Sequence, residues 1–367
     1  MIRHWFILSL WLTPLASLAV HGDDFDGLRL NQIQVIGSHN SYKLALDPSL
    51  LKLIGRVNED HAKALEYSHL PLTQQLDLGL RGLELDVLND PEGGRFADPL
   101  GRRLQQSAGE EILPYDAEVM QQAGFKVLHS QDIDFRSNCP NLHDAYRELR
   151  KWSETHPDHL PVIVTFNAKS GPSVLPGGVT ALEFDEASLM AWDKLSLAEF
   201  GRDRLLTPAD VQGSATTLEE AVLTTGWPKL DNCRGKFLLV LDETGPIRER
   251  YLAQRDSKNR VMFTTSPPGS PAAAVLIMND PLAERAQIQE RVKQGYLVRT
   301  RADADTWEAR RSDVSRFTAA EESGAQLIST DFYRIVPEIS PIYVVRWPDG
   351  KFQRPNPITA KSSAKSP

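Results

Sequence analysis

Eight short runs of β-branched and aliphatic residues recur along the chain, at 33–37, 82–87, 126–130, 161–167, 237–242, 275–279, 296–301 and 326–331, and each runs into a polar or charged residue. Apolar runs of this length, separated by amphipathic or turn-rich stretches, are the pattern of parallel strands covered by helices. Eight of them predict closure into a (β/α)8 barrel, the TIM-barrel form of the α/β class, with some irregular connections. The spacing predicts a helix over 141–155, where Pro140 suits a first turn and Leu142, Tyr146 and Leu149 share a face. A second is predicted over 311–323, with Val314, Phe317 and Ala320 on one face and Gly324 just beyond. Segment 89–124 is long, rich in Gly, Pro and charge and without a clear helix, and reads as an insertion at the active-site end. The last stretch, 348–367, is polar and aperiodic and reads as a disordered tail.

The chain of 367 residues accommodates such a barrel as one domain over 20–347. Its 41% hydrophobic content allows a large core, and its net charge of −8 leaves no footprint for nucleic acid. Nor does it favour anionic membranes overall, although a local basic patch is compatible with that average. Arg3 and His4 precede an apolar run from Trp5 to Leu12 that Thr13 and Pro14 break, and Ser17 and Ala19 are small. This is the pattern of an export signal, so 1–19 is expected to be cleaved and the protein secreted or periplasmic. The run is shorter than the roughly 20 apolar residues of a membrane span, and no later stretch is long enough. The mature protein is expected to lack a transmembrane segment and to be monomeric. Cys139 and Cys233 are too few for a disulfide framework, and the strand positions put them at opposite rims of the barrel, unpaired.

In a parallel barrel the chemistry sits at the C-terminal ends of strands. The first run ends in Ser38-His39-Asn40-Ser41-Tyr42, the second holds Glu84 and Asp86, and the third ends in His129. Glu84 and Asp86 are two apart on a strand and share a face, while Leu83, Leu85 and Val87 face the covering helices. Two buried carboxylates need a cation, since otherwise repulsion and lost hydration force a proton onto one of them. With Asn40 the donor set is all oxygen, which suits a hard divalent ion such as Ca²⁺. The alternative is that Arg81 or another basic residue neutralises the pair. His39 and His129, flanking the carboxylates, are candidate general acid and base residues. His61, His69, His143, His156 and His159 lack such partners in the sequence and read as structural or solvated.

Ser38-His39-Asn40-Ser41-Tyr42, then Gln75, Leu76, Gly79, Arg81, Glu84 and Asp86 in the spacing Q-L-x-x-G-x-R-x-x-E-x-D, then His129, together resemble phosphatidylinositol-specific phospholipases C. The likeness is closest to the calcium-dependent bacterial group and runs from about Leu30 to Tyr333, including the stretches YSHLPLTQQLDLGLRGLELDV, FKVLHSQDIDFRSNCP and LVRTRAD. The resemblance implies that His39 stabilises charge on the phosphoryl group and that His129 protonates the departing diacylglycerol oxygen. It implies that Asn40, Glu84 and Asp86 hold Ca²⁺, and that Glu84 assists deprotonation of the inositol 2-hydroxyl. That hydroxyl would attack its own phosphate, giving a cyclic inositol phosphate, from a phospholipid or inositol phosphodiester at a membrane surface.

One departure stands out. Where relatives often carry a further glutamate ligand at the end of strand four, this chain has Asn167, followed on the same face by Lys169. Asn167 would be a neutral metal ligand, lowering the affinity of the site, and Lys169 would contact the phosphate. Arg299 and Arg301 share a face at the end of the seventh run and would reach phosphate or inositol hydroxyls as forked donors. Asp331 and Asp242 would bind sugar hydroxyls or belong to an ion-pair ring at the rim. Two other functions remain open from sequence: a glycerophosphodiester phosphodiesterase, whose first motif usually runs H-R-G where this chain has His39-Asn40-Ser41, and an inositide-binding barrel without activity.

Overall fold

The computed structural model describes residues 24–254 and 260–360, so the 1–19 segment lies outside the described residues. The strands are β1 (Ile33–Ser38), β2 (Gly82–Asp90), β3 (Gly124–Val127), β4 (Val162–Lys169), β5 (Phe237–Leu241), β6 (Phe263–Thr264), β7 (Val275–Ile277), β8 (Leu297–Arg301), β9 (Leu327–Thr330) and β10 (Gln353–Pro355). Eight pair in parallel in the order β6-β5-β4-β2-β1-β9-β8-β7. A parallel bridge between Thr265 and Val275 joins the two ends and makes the sheet a barrel. The expected (β/α)8 architecture is the one formed, with two corrections to the strands.

Both corrections follow from the stagger of β1 against β2, which pair only at Gly37 and Gly82. A Cβ on Gly37 would lie 2.6 Å from the Gly82 Cα, so the contact requires glycine. The stagger leaves the upper edge of β2 and the lower edge of β1 uncovered. The run at 126–130, expected as the third stave, instead ends β3, which lies antiparallel on the upper edge of β2 with Val127 opposite Val87 and Gly124 opposite Asp90. β10 covers the lower edge of β1, antiparallel, with Ile33 opposite Pro355. The 348–367 tail is therefore not disordered over its described part: Phe352 and Asn356 are buried there. The missing stave is β6, two residues long and too short for a periodicity to show.

The helices that bear on the site are α1 (Pro48–Val57), α2 (Glu59–Ala64), α3 (Leu72–Leu78), α4 (Leu100–Ser107), α5 (Ala117–Gln121) and α6 (Leu142–Thr155). α6 matches its expected span, with the Asn141 side chain accepting the His143 N–H as N-cap. The helix expected over 311–323 begins only at Ser315 and runs to Ser323, with Val314 exposed before it, because Ser312 adopts φ +51° and ends a separate short helix, Trp307–Arg311. Insertion 89–124 holds α4 and α5, whose five to eight residues escape a periodicity reading. Leu83, Leu85 and Val87 pack outward with Leu142, Tyr146 and Leu149, as alternation requires. Cys139 and Cys233 are both buried and free, as expected from their separation.

Candidate active site

Strand register stacks the inward residues in layers. Gly82, Ile163 and Leu238 form an apolar layer; one step higher, Glu84 and Thr165 pair beside Val240, and above them Asp86 pairs with Asn167. The carboxylates therefore stand on a closed apolar floor, Glu84 4% and Asp86 1% exposed. Each has a cationic partner. Arg299 donates to Glu84 Oε2, and the Lys169 Nζ is 3.0 Å from Asp86 Oδ2. Burial alone raises the Glu84 carboxyl, but Arg299, then His39 and Arg301, bring it below the usual carboxylate range. Arg81 takes no part: it donates to the Leu76 and Leu80 carbonyls and lies over the Trp152 ring.

Two histidines open onto this floor, each with Nδ1 held by a buried carboxylate. His39 Nδ1 donates to Asp331 Oδ1 at 3.0 Å, and its Nε2 lies 3.8 Å from Glu84 Oε1. His129 Nδ1 donates to Asp134 Oδ2 at 2.9 Å, and Asp134 also takes the buried Lys43 ammonium at 3.2 Å. Burial raises the Asp331 carboxyl, yet His39, His69 and Arg301 hold it well below the usual range; Asp134 is likewise lowered by Lys43 and His129 against burial. His129 reaches the site from the end of β3, so it descends beside β2 rather than rising from a stave of its own.

Some expected substrate contacts are thus committed internally. Arg299 is buried and donates through Nε to Ser329, Nη1 to Asn279 and Nη2 to Glu84, so it is a strut of the carboxylate layer rather than a free forked donor. Asp331 faces His39 and Arg301 instead of a sugar. Lys169 and Arg301, whose side chains are 38% and 15% exposed, stand at the mouth, paired there with Asp86 and Asp331.

The family model of calcium-dependent phosphoinositide phospholipase C matches residues 28–357, nearly the whole described chain. The chain belongs to this phospholipase C family. The barrel matches the calcium-dependent phosphoinositol-specific phospholipase C from Pseudomonas sp. with a TM-score of 0.54 at 16% identity, covering 90% of this chain and 96% of that one. A myoinositol complex of the Pseudomonas enzyme matches with a TM-score of 0.53 at 17% identity, covering 89% of this chain and 95% of that one. The Ca²⁺-dependent phosphatidylinositol-specific phospholipase C from Streptomyces antibioticus gives 0.51 at 18% identity, covering 87% and 99%. No curated protein sequence matches significantly.

A phospholipase C of this calcium-dependent family needs an oxygen-lined cation site. Among the described residues no cluster of three or more His, Cys, Asp or Glu is arranged to hold a metal. The carboxylate–amide set fits nevertheless. Asn167 Nδ2 lies 3.2 Å from both Glu84 Oε1 and Asp86 Oδ1, so a single point reaches both carboxylates, and turning the amide brings its oxygen there. Asp86 Oδ2 is buried, with the Lys169 ammonium at 3.0 Å. Asn40, held at φ +45°, uses its amide nitrogen on the Tyr67 hydroxyl, which leaves its oxygen as the free end. All four donors suit a hard cation, and Arg299 and Lys169 already balance the two carboxylate charges.

Sequence reasoning missed three members of the site. Asp134 lies five residues beyond His129, inside the FKVLHSQDIDFRSNCP stretch, and Lys43 four beyond His39, just past the first motif. His69 lies in the YSHLPLTQQL stretch; it is fully buried, stacks on Tyr333 with ring centres 5.5 Å apart, and its Nε2 is 3.6 Å from Asp331 Oδ1.

Proposed function

We propose that the chain cleaves phosphatidylinositol by attack of the inositol 2-hydroxyl on its own phosphorus, releasing diacylglycerol and a cyclic inositol phosphate. The observation that supports this most is the pair of histidines, each tied through Nδ1 to a buried carboxylate and flanking Glu84 and Asp86. With the proton kept on Nδ1 by the Asp331 carboxylate at 3.0 Å, the His39 Nε2 carries the lone pair. His39 is therefore a base for the 2-hydroxyl proton, a role different from the charge stabilisation its resemblance implied, with Glu84 beside it. The oxygen–phosphorus bond forms as the bond to the glycerol oxygen breaks, and His129, its imidazolium stabilised by Asp134, gives that oxygen its proton.

Asn40, Glu84, Asp86 and Asn167 would hold calcium, which when bound supplies positive charge to the phosphoryl oxygens. Lys169 and Arg301 add fixed charge at the mouth for the same group. Because nucleophile and phosphorus belong to one molecule, the protein's task is orientation, charge and proton transfer. We also propose an exported enzyme, from the 1–19 pattern; sequencing the N-terminus of the protein from its host tests that.

The test is ³¹P NMR of products from phosphatidylinositol and from glycerophosphoinositol, with and without chelator. Calcium-dependent appearance of a five-membered cyclic phosphate from phosphatidylinositol is expected. Direct formation of an acyclic phosphate, with glycerophosphoinositol as the better substrate, would sink the reading in favour of a glycerophosphodiester phosphodiesterase.

A further inference from the structure

Beneath the acid side of the site lies a lysine to which the mechanism above gives no part. Lys43 is fully buried, and its Nζ lies 3.2 Å from Asp134 Oδ2, the same oxygen that accepts from His129 Nδ1 at 2.9 Å. Its other contacts are weak: the Leu44 and Tyr67 carbonyls at 3.4 Å, and the Tyr67 ring with its centre 4.8 Å away. Backbone pairing fixes the arrangement. The Leu44 N–H donates to the Arg136 carbonyl and the Asn138 N–H to the Tyr42 carbonyl, which zips the segment after β1 to the segment after β3. Ser130 and Asp134 exchange N–H and carbonyl bonds of 2.9 and 3.0 Å across one tight turn, which holds the carboxylate against His129.

Among the described residues, the charges around His129 reduce to this pair. Tyr42 and Tyr67 are buried phenols whose hold on the proton burial strengthens, so they stay neutral. Asp132 takes the Leu100 and Val179 amides, Lys126 of β3 pairs with Asp90 at 3.8 Å, and Arg136 donates to the Ala45 and Pro114 carbonyls. Glu84 and Asp86 of β2 are balanced by Arg299 and Lys169, and Asp331 by His39 and Arg301. A fully buried lysine–carboxylate pair is a poor device for stability, because desolvating both charges offsets most of their attraction. Its consequence for His129 is electrostatic. The ammonium and the imidazole share one oxygen, so they stand within about 6 Å of each other, a range in which like charges disfavour protonation.

We propose that Lys43 is a positioning residue for the acid: its ammonium keeps Asp134 ionised and weakens the hold of His129 on the proton that goes to the glycerol oxygen. The proposal deepens the phosphatidylinositol reading, in which His129 is that donor, and rests on it. Burial pulls the Lys43 ammonium toward neutrality and Asp134 opposes this, so the two groups hold each other charged. With Asp134 alone, a bare buried carboxylate would grip the imidazolium and make it a poorer acid. With Lys43 on the same oxygen, Asp134 still orients the ring through Nδ1 but at a reduced effective charge. When the Nε2–H bond breaks and the glycerol O–H bond forms, the imidazole becomes neutral, and Lys43 leaves no unpaired carboxylate buried behind it.

The experiment makes Lys43→Gln in the full chain, which keeps a donor and drops the charge, and Lys43→Met, which matches the length and serves if the first variant does not fold. Histidine ¹³C NMR, with the His129 signal assigned by its loss in His129→Gln, gives the first readout without any substrate. The His129 pKa is expected to rise by about one unit in either variant. An unchanged or lowered value would overturn the proposal. The second readout compares phosphatidylinositol with a nitrophenyl ester of inositol 1-phosphate, whose leaving group departs without a proton. The variants are expected to lose about tenfold on the lipid at neutral pH, with the alkaline limb of the pH–rate profile moved up by about one unit, and to lose much less on the ester. Equal losses on both substrates would reduce Lys43 to packing and overturn the proposal as well. If wild-type protein cleaves neither substrate, the phosphatidylinositol reading fails, while the NMR titration still decides what Lys43 does to His129.

Discussion

Asp331 takes His39 Nδ1 and the Arg301 guanidinium at once, in a pocket where it is 2% exposed. Asp331→Asn preserves the shape but removes the charge that keeps the proton on Nδ1, and the rate is expected to fall on the order of a hundredfold or more. The matching change on the acid side, His129→Ala, is expected to cost about 10²- to 10⁴-fold on lipid, because an alkoxide leaves poorly without a proton. Retention of most of the wild-type rate by either variant removes that residue from the proposed mechanism. Lys169 gives a prediction of opposite sign for two readouts. Its ammonium pairs with Asp86, a proposed calcium ligand, so Lys169→Gln should tighten calcium binding in titration calorimetry while lowering the rate. Unchanged or weaker calcium binding would place the ion away from Asp86. Glu84, Asp86, His39 and His129 were legible in the sequence because each ends or lies on an apolar run within a recognisable spacing. Their ion-pair partners were not, because Arg299 is 215 residues from Glu84 and Asp331 is 292 from His39.

The stagger between β1 and β2 governs the elements. It depends on two facing glycines, where an added Cβ at Gly82 would also meet Leu327 Cδ1 at 2.2 Å. Gly37→Ala is expected to destabilise by about 1–3 kcal/mol, as overpacking does, read as a lowered denaturant midpoint at unchanged slope. Deleting everything after Asp349 removes β10, uncovers the β1 edge and exposes the surface that Phe352 and Asn356 cover, so thermal stability should drop. An unchanged melting temperature would make β10 dispensable. The run at 126–130 has the composition of any buried strand, and composition carries no direction; antiparallel placement follows from the free edge it covers. β10 misled for the reverse reason, since a strand of three residues with one covered face has no period to read.

At the scale of the whole molecule, buried carboxylates divide into two groups. Asp303 is pushed up to about 7, by burial first and then by Asp331, and burial likewise pushes Glu243 up to about 7 and Asp242 to about 6, whereas Asp331, Glu84 and Asp134 are held low by cationic partners. A raised carboxyl binds a proton that the unfolded chain releases near pH 4, so its contribution to stability falls as pH rises from about 4 to 7. The lowered carboxyls contribute above about pH 4, and that contribution is lost as pH falls toward their folded values. The melting temperature of the calcium-free protein should therefore peak near about pH 5, with Asp303→Asn making the descent toward pH 8 shallower and Asp242 and Glu243 keeping the remainder. A wild-type profile flat from pH 5 to 8 would show that Asp303, Asp242 and Glu243 are all ionised throughout. The same division separates what each level of structure determined. Alternation along single strands, a local property with a period of two, already put His39, Glu84, Asp86, Asn167, Arg299, Arg301 and Asp331 on inward faces, and motif order identified the phospholipase C barrel. Which inward charges meet depends on the stagger accumulated around the barrel, a long-range quantity that no local pattern encodes. Only the tertiary structure therefore decided that Arg299 neutralises Glu84, that Asp331 and Asp134 orient the two histidines, and that His129 arrives on a reversed strand.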